Sequence, residues 1–87
     1  MTKVVIYTSL MCGYCVRAKN LFIQKNIKFK EINIYENTDK KDEMIKLSGG
    51  MLTVPQIFIE DNHIGGWDDL SELNNSGKLD NMISFEE

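Results

Sequence analysis

The pattern of apolar and polar positions along the chain alternates between two periods. Lys3-Val4-Val5-Ile6-Tyr7-Thr8 is a β-branched and aromatic run that predicts a strand, and its unbroken apolar stretch suggests cover on both faces. Ser9 to Gly13 interrupts it. From Tyr14 to Asn26 the spacing becomes helical, with Cys15, Ala18 and Phe22 on one face and Arg17, Lys19 and Lys25 facing outward. Asn26 suits a left-handed helix stop. Ile27 to Tyr35 predicts a second strand, but Ile27 and Phe29 share one parity and Ile32 and Ile34 the other. Either a bulge near Glu31 or cover on both faces would account for the slip.

Asn37 or Thr38 is expected to cap a second helix, with Met44, Ile45 and Leu47 inward and Ser48-Gly49-Gly50 at its end. Gln56 to Glu60 is the third predicted strand. Asp61-Asn62 should turn the chain into a short fourth strand, His63 to Gly65. A last helix is expected from Trp67-Asp68 through Leu70 and Leu73, stopped by Asn75-Ser76-Gly77. Leu79, Met82 and Ile83 should fold back as a closing turn or short helix. The order is β-α-β-α-β-β-α. It predicts one α/β domain, residues 1–87, in which helices flank a mixed four-stranded sheet.

Length and composition narrow the function. With 87 residues, 43% hydrophobic and 26% charged, the chain has a globular composition and room for one small core. No apolar run approaches the roughly 20 residues that cross a bilayer, and Met1 to Val5 shows no signal-peptide pattern. A soluble, cytoplasmic protein without a membrane partner is therefore expected. The net charge of −3, with nine lysines and one arginine scattered along the chain, argues against nucleic acid.

The two cysteines carry the most information. A secreted scaffold of this size would hold more of them and spread them out. Bridging Cys12 to Cys15 closes so small a loop that it would staple almost nothing. A structural zinc site wants four ligands, whereas only Cys12, Cys15 and His63 are on offer, so no metal site is read. Their position, where a buried strand gives way to a helix, points to redox chemistry. Unpaired N–H groups and the macrodipole at a helix N-terminus favour an anion there and lower a thiol's pKa from about 8.5. Cys12 is thus the candidate nucleophile. Cys15, three residues on along the same face, is the candidate resolving thiol, expected a turn deeper and mostly protonated where Cys12 is exposed and ionised. Lys19, two turns beyond Cys12, can help that nucleophile only weakly.

Two further stretches bear on binding. Thr53-Val54-Pro55 leads into the third strand and holds the only proline. Pro55 is either an ordinary strand-start proline or follows a cis bond. In the second case the Val54 backbone faces outward, ready to pair with an extended thiol peptide. Gly65-Gly66-Trp67-Asp68-Asp69 opens the last helix. Its glycines permit close backbone approach, its N–H groups suit a carboxylate, and Asp68 or Asp69 suits an ammonium. Helix capping by the aspartates is the competing explanation. His63 is read as a strand residue without a catalytic task, and Tyr7 as core or groove-facing.

Taken jointly, Ile6-Tyr7-Thr8, Cys12-Gly13-Tyr14-Cys15, Arg17-Ala18-Lys19, Asp42 to Lys46, Thr53 to Ile59, His63 to Gly66 and Asp68-Asp69-Leu70 resemble the glutaredoxin family, especially its small bacterial dithiol type. The resemblance spans nearly the whole chain. It implies a thioredoxin fold and glutathione-dependent reduction of protein disulfides and glutathione mixed disulfides, with Cys12 attacking and Cys15 resolving. By the same resemblance, glutathione would lie across Tyr14, Thr53, Val54 and Pro55, and Gly66, Trp67, Asp68 and Asp69, with Lys41 near its glycine carboxylate. The partners implied are glutathione and disulfide-containing or glutathionylated proteins, met by a monomer. Three positions depart from the family pattern: Gly13 stands where proline is commonest, Ser9 where lysine is frequent, and Trp67 where relatives often hold cysteine. Gly13 keeps open an alternative, a [2Fe–2S] cluster bridged between two chains by Cys12 and glutathione. A reductase-fed thioredoxin-like reductant and an interaction domain with inert thiols are the remaining rivals.

Overall fold

A computed structural model describes residues 2–83; Met1 and residues 84–87 of the expected domain lie outside the described residues. Four strands, β1 (Val4–Thr8), β2 (Lys30–Asn33), β3 (Gln56–Ile59) and β4 (Asn62–Gly65), form one sheet in the order β2-β1-β3-β4. β1 pairs parallel with β2 and antiparallel with β3, and β3 pairs antiparallel with β4. Helices α1 (Gly13–Gln24), α2 (Thr38–Leu47), α3 (Trp67–Asn75) and α4 (Lys78–Met82) complete the fold. The expected order is therefore present, with the closing segment forming a short fourth helix.

Alternation along β1 distributes the core to both faces of the sheet. Val4 and Ile6 join Ala18, Phe22, Ile27, Ile57, Ile59, Leu70 and Leu79 in one buried cluster. Tyr7 joins Ile34, Met44 and Phe58 in a second, and its ring meets Phe58 edge-on at 5.6 Å. The helical face expected of α1 is the buried one, and Asn26 adopts the left-handed conformation (φ 58°) just past its end.

Three expectations need correction. The second strand spans four residues rather than nine. Ile27 and Phe29 lie before it and pack with the first cluster, whereas Ile32 and Ile34 serve the second, so the parity slip reflects two covered faces. The β1–β2 register runs unbroken, and the irregularity sits between Ile57 and Phe58 against β4. The hairpin turn falls one residue early, because Glu60 and Asp61 both take positive φ (51° and 65°), the geometry of a two-residue turn matched to strand twist. Leu47, expected inward, is the last residue of α2 and is 55% exposed, at the rim of a cavity it shares with Val5, Tyr7, Ile32 and Phe58.

Candidate functional site

The chain leaves β1 at Thr8 and crosses a short loop in which Met11 takes φ 54° and stands almost fully in solvent. Cys12 then occupies the N-cap of α1 in an extended conformation, and its carbonyl accepts the first helical bond, from Val16 N–H at 3.2 Å. Its Sγ replaces the oxygen of an ordinary cap, accepting the Cys15 N–H at 3.1 Å. The helix thus begins at the half-buried Cys12 sulfur, with the Cys15 N–H aimed at it. Cys15, one turn along, is 2% exposed, and both cysteines are free thiols. Burial above all, then the neighbouring Cys12 sulfur, pushes the Cys15 thiol up to about 12. Two thiols three residues apart are thereby made chemically unequal.

Across from the sulfur, the Val54–Pro55 bond is cis, and the Val54 carbonyl accepts from the Cys12 thiol at 3.7 Å. This is the second of the two conformations considered for Pro55. A groove of about 370 Å³ runs from Tyr14 past Thr53, Val54 and Pro55 to Gly66, Trp67, Asp68 and Asp69. All the residues expected to bind a tripeptide thus share one groove, except Lys41, which stands exposed on α2 outside it.

Local bonds explain how this surface is held. Gly65 has φ 120°, and a Cβ there would collide with the Asp69 carboxylate. Gly66 passes so close to the proline loop that its Cβ would lie 3.4 Å from the Pro55 carbonyl. Asp69 accepts the Gly66 N–H at 3.1 Å, so it does cap α3, while the neighbouring Asp68 is exposed at the groove. Trp67 has a double position, packed against the first core cluster and lining the groove. The Tyr14 ring, 57% exposed, carries the Arg17 guanidinium 5.5 Å from its centre.

Two groove residues went unnoticed in the sequence. Met51 carried no signal. Gln56 did, as a polar residue in an otherwise apolar strand. It is 1% exposed, its amide donates to the Thr53 carbonyl (3.1 Å) and hydroxyl (3.3 Å), and its oxygen meets His63 Nε2 at 2.6 Å. Every polar atom of that amide is engaged, and the loop ahead of Pro55 is pinned to the sheet. Tyr7 belongs to the core and does not line the groove. Its hydroxyl donates to Glu43 at 2.6 Å; burial, reinforced by that bond, raises its pKa, and the same bond holds the Glu43 carboxyl below its ordinary value.

A thiol at a helix start, a sealed partner thiol behind it and an open groove alongside define a thiol–disulfide oxidoreductase. The Glutaredoxin family model matches residues 4–64, and the chain belongs to that family. It is 51% identical over 83 residues to glutaredoxin 3 of Escherichia coli strain K12, covering 95% of this chain and 99% of the relative. Among solved structures it is similar to the glutaredoxin of Brucella melitensis, with TM-score 0.81 and 45% identity over 94% of this chain and 88% of that one. The buckwheat glutaredoxin–glutathione complex matches with TM-score 0.84 and 33% identity over 93% of this chain and 76% of that one. The fold is the thioredoxin fold. Among the described residues, no helix is long and apolar enough to cross a membrane.

Proposed function

We propose that this chain, a single domain over residues 1–87, reduces protein disulfides and glutathione mixed disulfides in the cytoplasm as a monomer, with glutathione as electron donor. Cys12 attacks the substrate disulfide and carries the mixed disulfide; Cys15 then attacks Cys12 and releases the second half when both thiols are used. Glutathione lies in the groove with its cysteine backbone against Val54 beside Pro55, flanked by Thr53 and Tyr14. Its α-amino acid head meets the Gly66–Asp69 turn, where N–H groups suit the carboxylate and Asp68 suits the ammonium. Trp67 walls the groove. Lys41, exposed on α2, is assigned to the glycine carboxylate by resemblance alone. The observation that carries this reading is that the groove beside Cys12 joins all these residues save Lys41, and a relative of the same fold forms a complex with glutathione.

The experiment is a glutathione-coupled reduction assay on three proteins. Cys12→Ser should abolish all thiol transfer. Cys15→Ser should spare glutathione mixed disulfides and impair protein disulfides. Equal loss of both activities in Cys15→Ser refutes the division of labour. A [2Fe–2S] cluster shared by two chains would draw on the same Cys12 sulfur, and the space about the neighbouring Gly13 is open, a Cβ there meeting nothing within 4 Å. Visible absorption bands after anaerobic purification, with weak turnover, would favour that reading over the dithiol one.

A further inference from the structure

Behind the two thiols lies a polar cluster that the reaction as described does not use. The Lys19 ammonium bonds the Glu31 carboxylate of β2 at 3.0 Å, and the same oxygen, Oε2, accepts the Thr8 hydroxyl of β1 at 2.7 Å. Thr8 is 1% exposed, and the Lys19 and Glu31 side chains are 29% and 36% exposed. Thr8 and then Lys19 hold the Glu31 carboxyl below its ordinary value. The cluster sits on the α1 side of the sheet, because Thr8 shares the parity of Val4 and Ile6, which pack against Ala18 and Phe22.

Lys19 is four residues beyond Cys15 and therefore directly below it on α1. Of the two cations within a turn of Cys15, Arg17 is drawn away onto the Tyr14 ring, while Lys19 is turned to the sheet by Glu31. Burial and then the Cys12 sulfur raise the Cys15 thiol, while a backbone group of Ser9 and the Lys19 charge act in the opposite direction; the 3.0 Å bond to Glu31 holds that charge on the sheet side of α1. Burial disfavours an anion at Cys15 and, by the same low polarity, strengthens a nearby positive charge.

We propose that Lys19, anchored by Glu31 and Thr8, is a positioning residue for the resolving step, its ammonium stabilising the Cys15 thiolate as that sulfur attacks Cys12. The inference rests on the dithiol reading above. In the step, the Cys12–Cys15 bond forms and the bond from Cys12 to the substrate sulfur breaks. The electron pair leaves on the substrate sulfur, which takes up the proton given up by Cys15. The cysteine pair is oxidised and the substrate half reduced. Lys19 acts through its charge and transfers no proton, and two turns separate it from Cys12, so reactions that bypass Cys15 should depend on it little.

The test separates charge from structure. Lys19→Gln keeps a hydrogen bond to Glu31 without the charge, Lys19→Arg keeps both, and Lys19→Met gives the same reading as Gln should the latter fold poorly. The rate at which Cys15 resolves a Cys12 mixed disulfide is followed against pH in single turnover. The rate should fall about threefold in the Gln variant throughout the range below the Cys15 value of about 12 and stay at the wild-type level in the Arg variant. Deglutathionylation in a Cys15→Ser background should not change. An unchanged resolving rate in the Gln variant overturns the proposal, as does an Arg variant as slow as Gln. A wild type that forms no Cys12–Cys15 disulfide overturns the dithiol reading and this proposal with it, whereas a wild type that forms it while the Gln variant matches its rate overturns this proposal alone.

Discussion

Placing alanine at Gly65 drives a Cβ into the Asp69 carboxylate, at a backbone angle (φ 120°) that L residues avoid. Two losses follow. Holding a side-chain-bearing residue in that region costs about 1–3 kcal/mol. Moving Asp69 aside releases the Gly66 N–H from its 3.1 Å bond and removes the cap of α3, about 1 kcal/mol. Together the penalty is about 2–4 kcal/mol. For a domain of this size each kcal/mol shifts Tm by roughly 4–8 °C, so thermal unfolding followed by circular dichroism should show a fall of at least about 8 °C. Gly13→Ala is the internal control. Gly13 is the first residue of α1 with nothing within 4 Å of a built Cβ, so the same change there should be neutral or stabilise by up to about 1 kcal/mol. A Gly65→Ala protein within about 0.5 kcal/mol of wild type would refute the claim that this glycine is required by its backbone angle and by the carboxylate facing it. Glutathione titration of the folded Gly65→Ala protein should also show weaker binding, because Asp69 lines the groove.

Three further outcomes follow from the same structure. Phe22, fully buried in the first cluster, should cost about 3–5 kcal/mol when replaced by alanine, measured by urea unfolding. Tyr7→Phe removes the bond to Glu43. Glu43 is depressed in the folded protein, so its contribution is present above the ordinary carboxylate pKa and disappears as pH falls through the folded value. The stability gap between wild type and Tyr7→Phe, about 1 kcal/mol for a carboxylate 38% exposed, should therefore shrink in acid; a gap that widens there would contradict the assignment. With its thiol at about 12 and the side chain sealed, Cys15 should resist iodoacetamide at pH 8, where about one molecule in ten thousand is thiolate. Mass spectrometry of the native protein should then find Cys15 unmodified, and rapid adduct formation at Cys15 would show that it is not sealed.

The hydrophobic pattern by itself determined the order of elements, the buried face of α1 and the left-handed stop at Asn26, since each depends on residues a turn or less apart. The C-x-x-C at a strand–helix junction likewise revealed both thiols, because capping geometry is local. What lay beyond it was set by contacts across the chain. The parity slip between Phe29 and Ile32 became interpretable only with a cluster on each side of the sheet, and Leu47, inward by spacing, sits more than half exposed at a cavity rim. Gln56 reads as an anomaly in the sequence and as a fully bonded brace in the fold, through partners three and seven residues away. Cys15 was expected deeper than Cys12, and tertiary packing decided how far, sealing Cys15 and leaving Cys12 half-buried; it also turned Lys19, expected outward, toward Glu31. Helical spacing places side chains on a face, but only the sheet beneath that face determines which of them loses its water and which meets a charge.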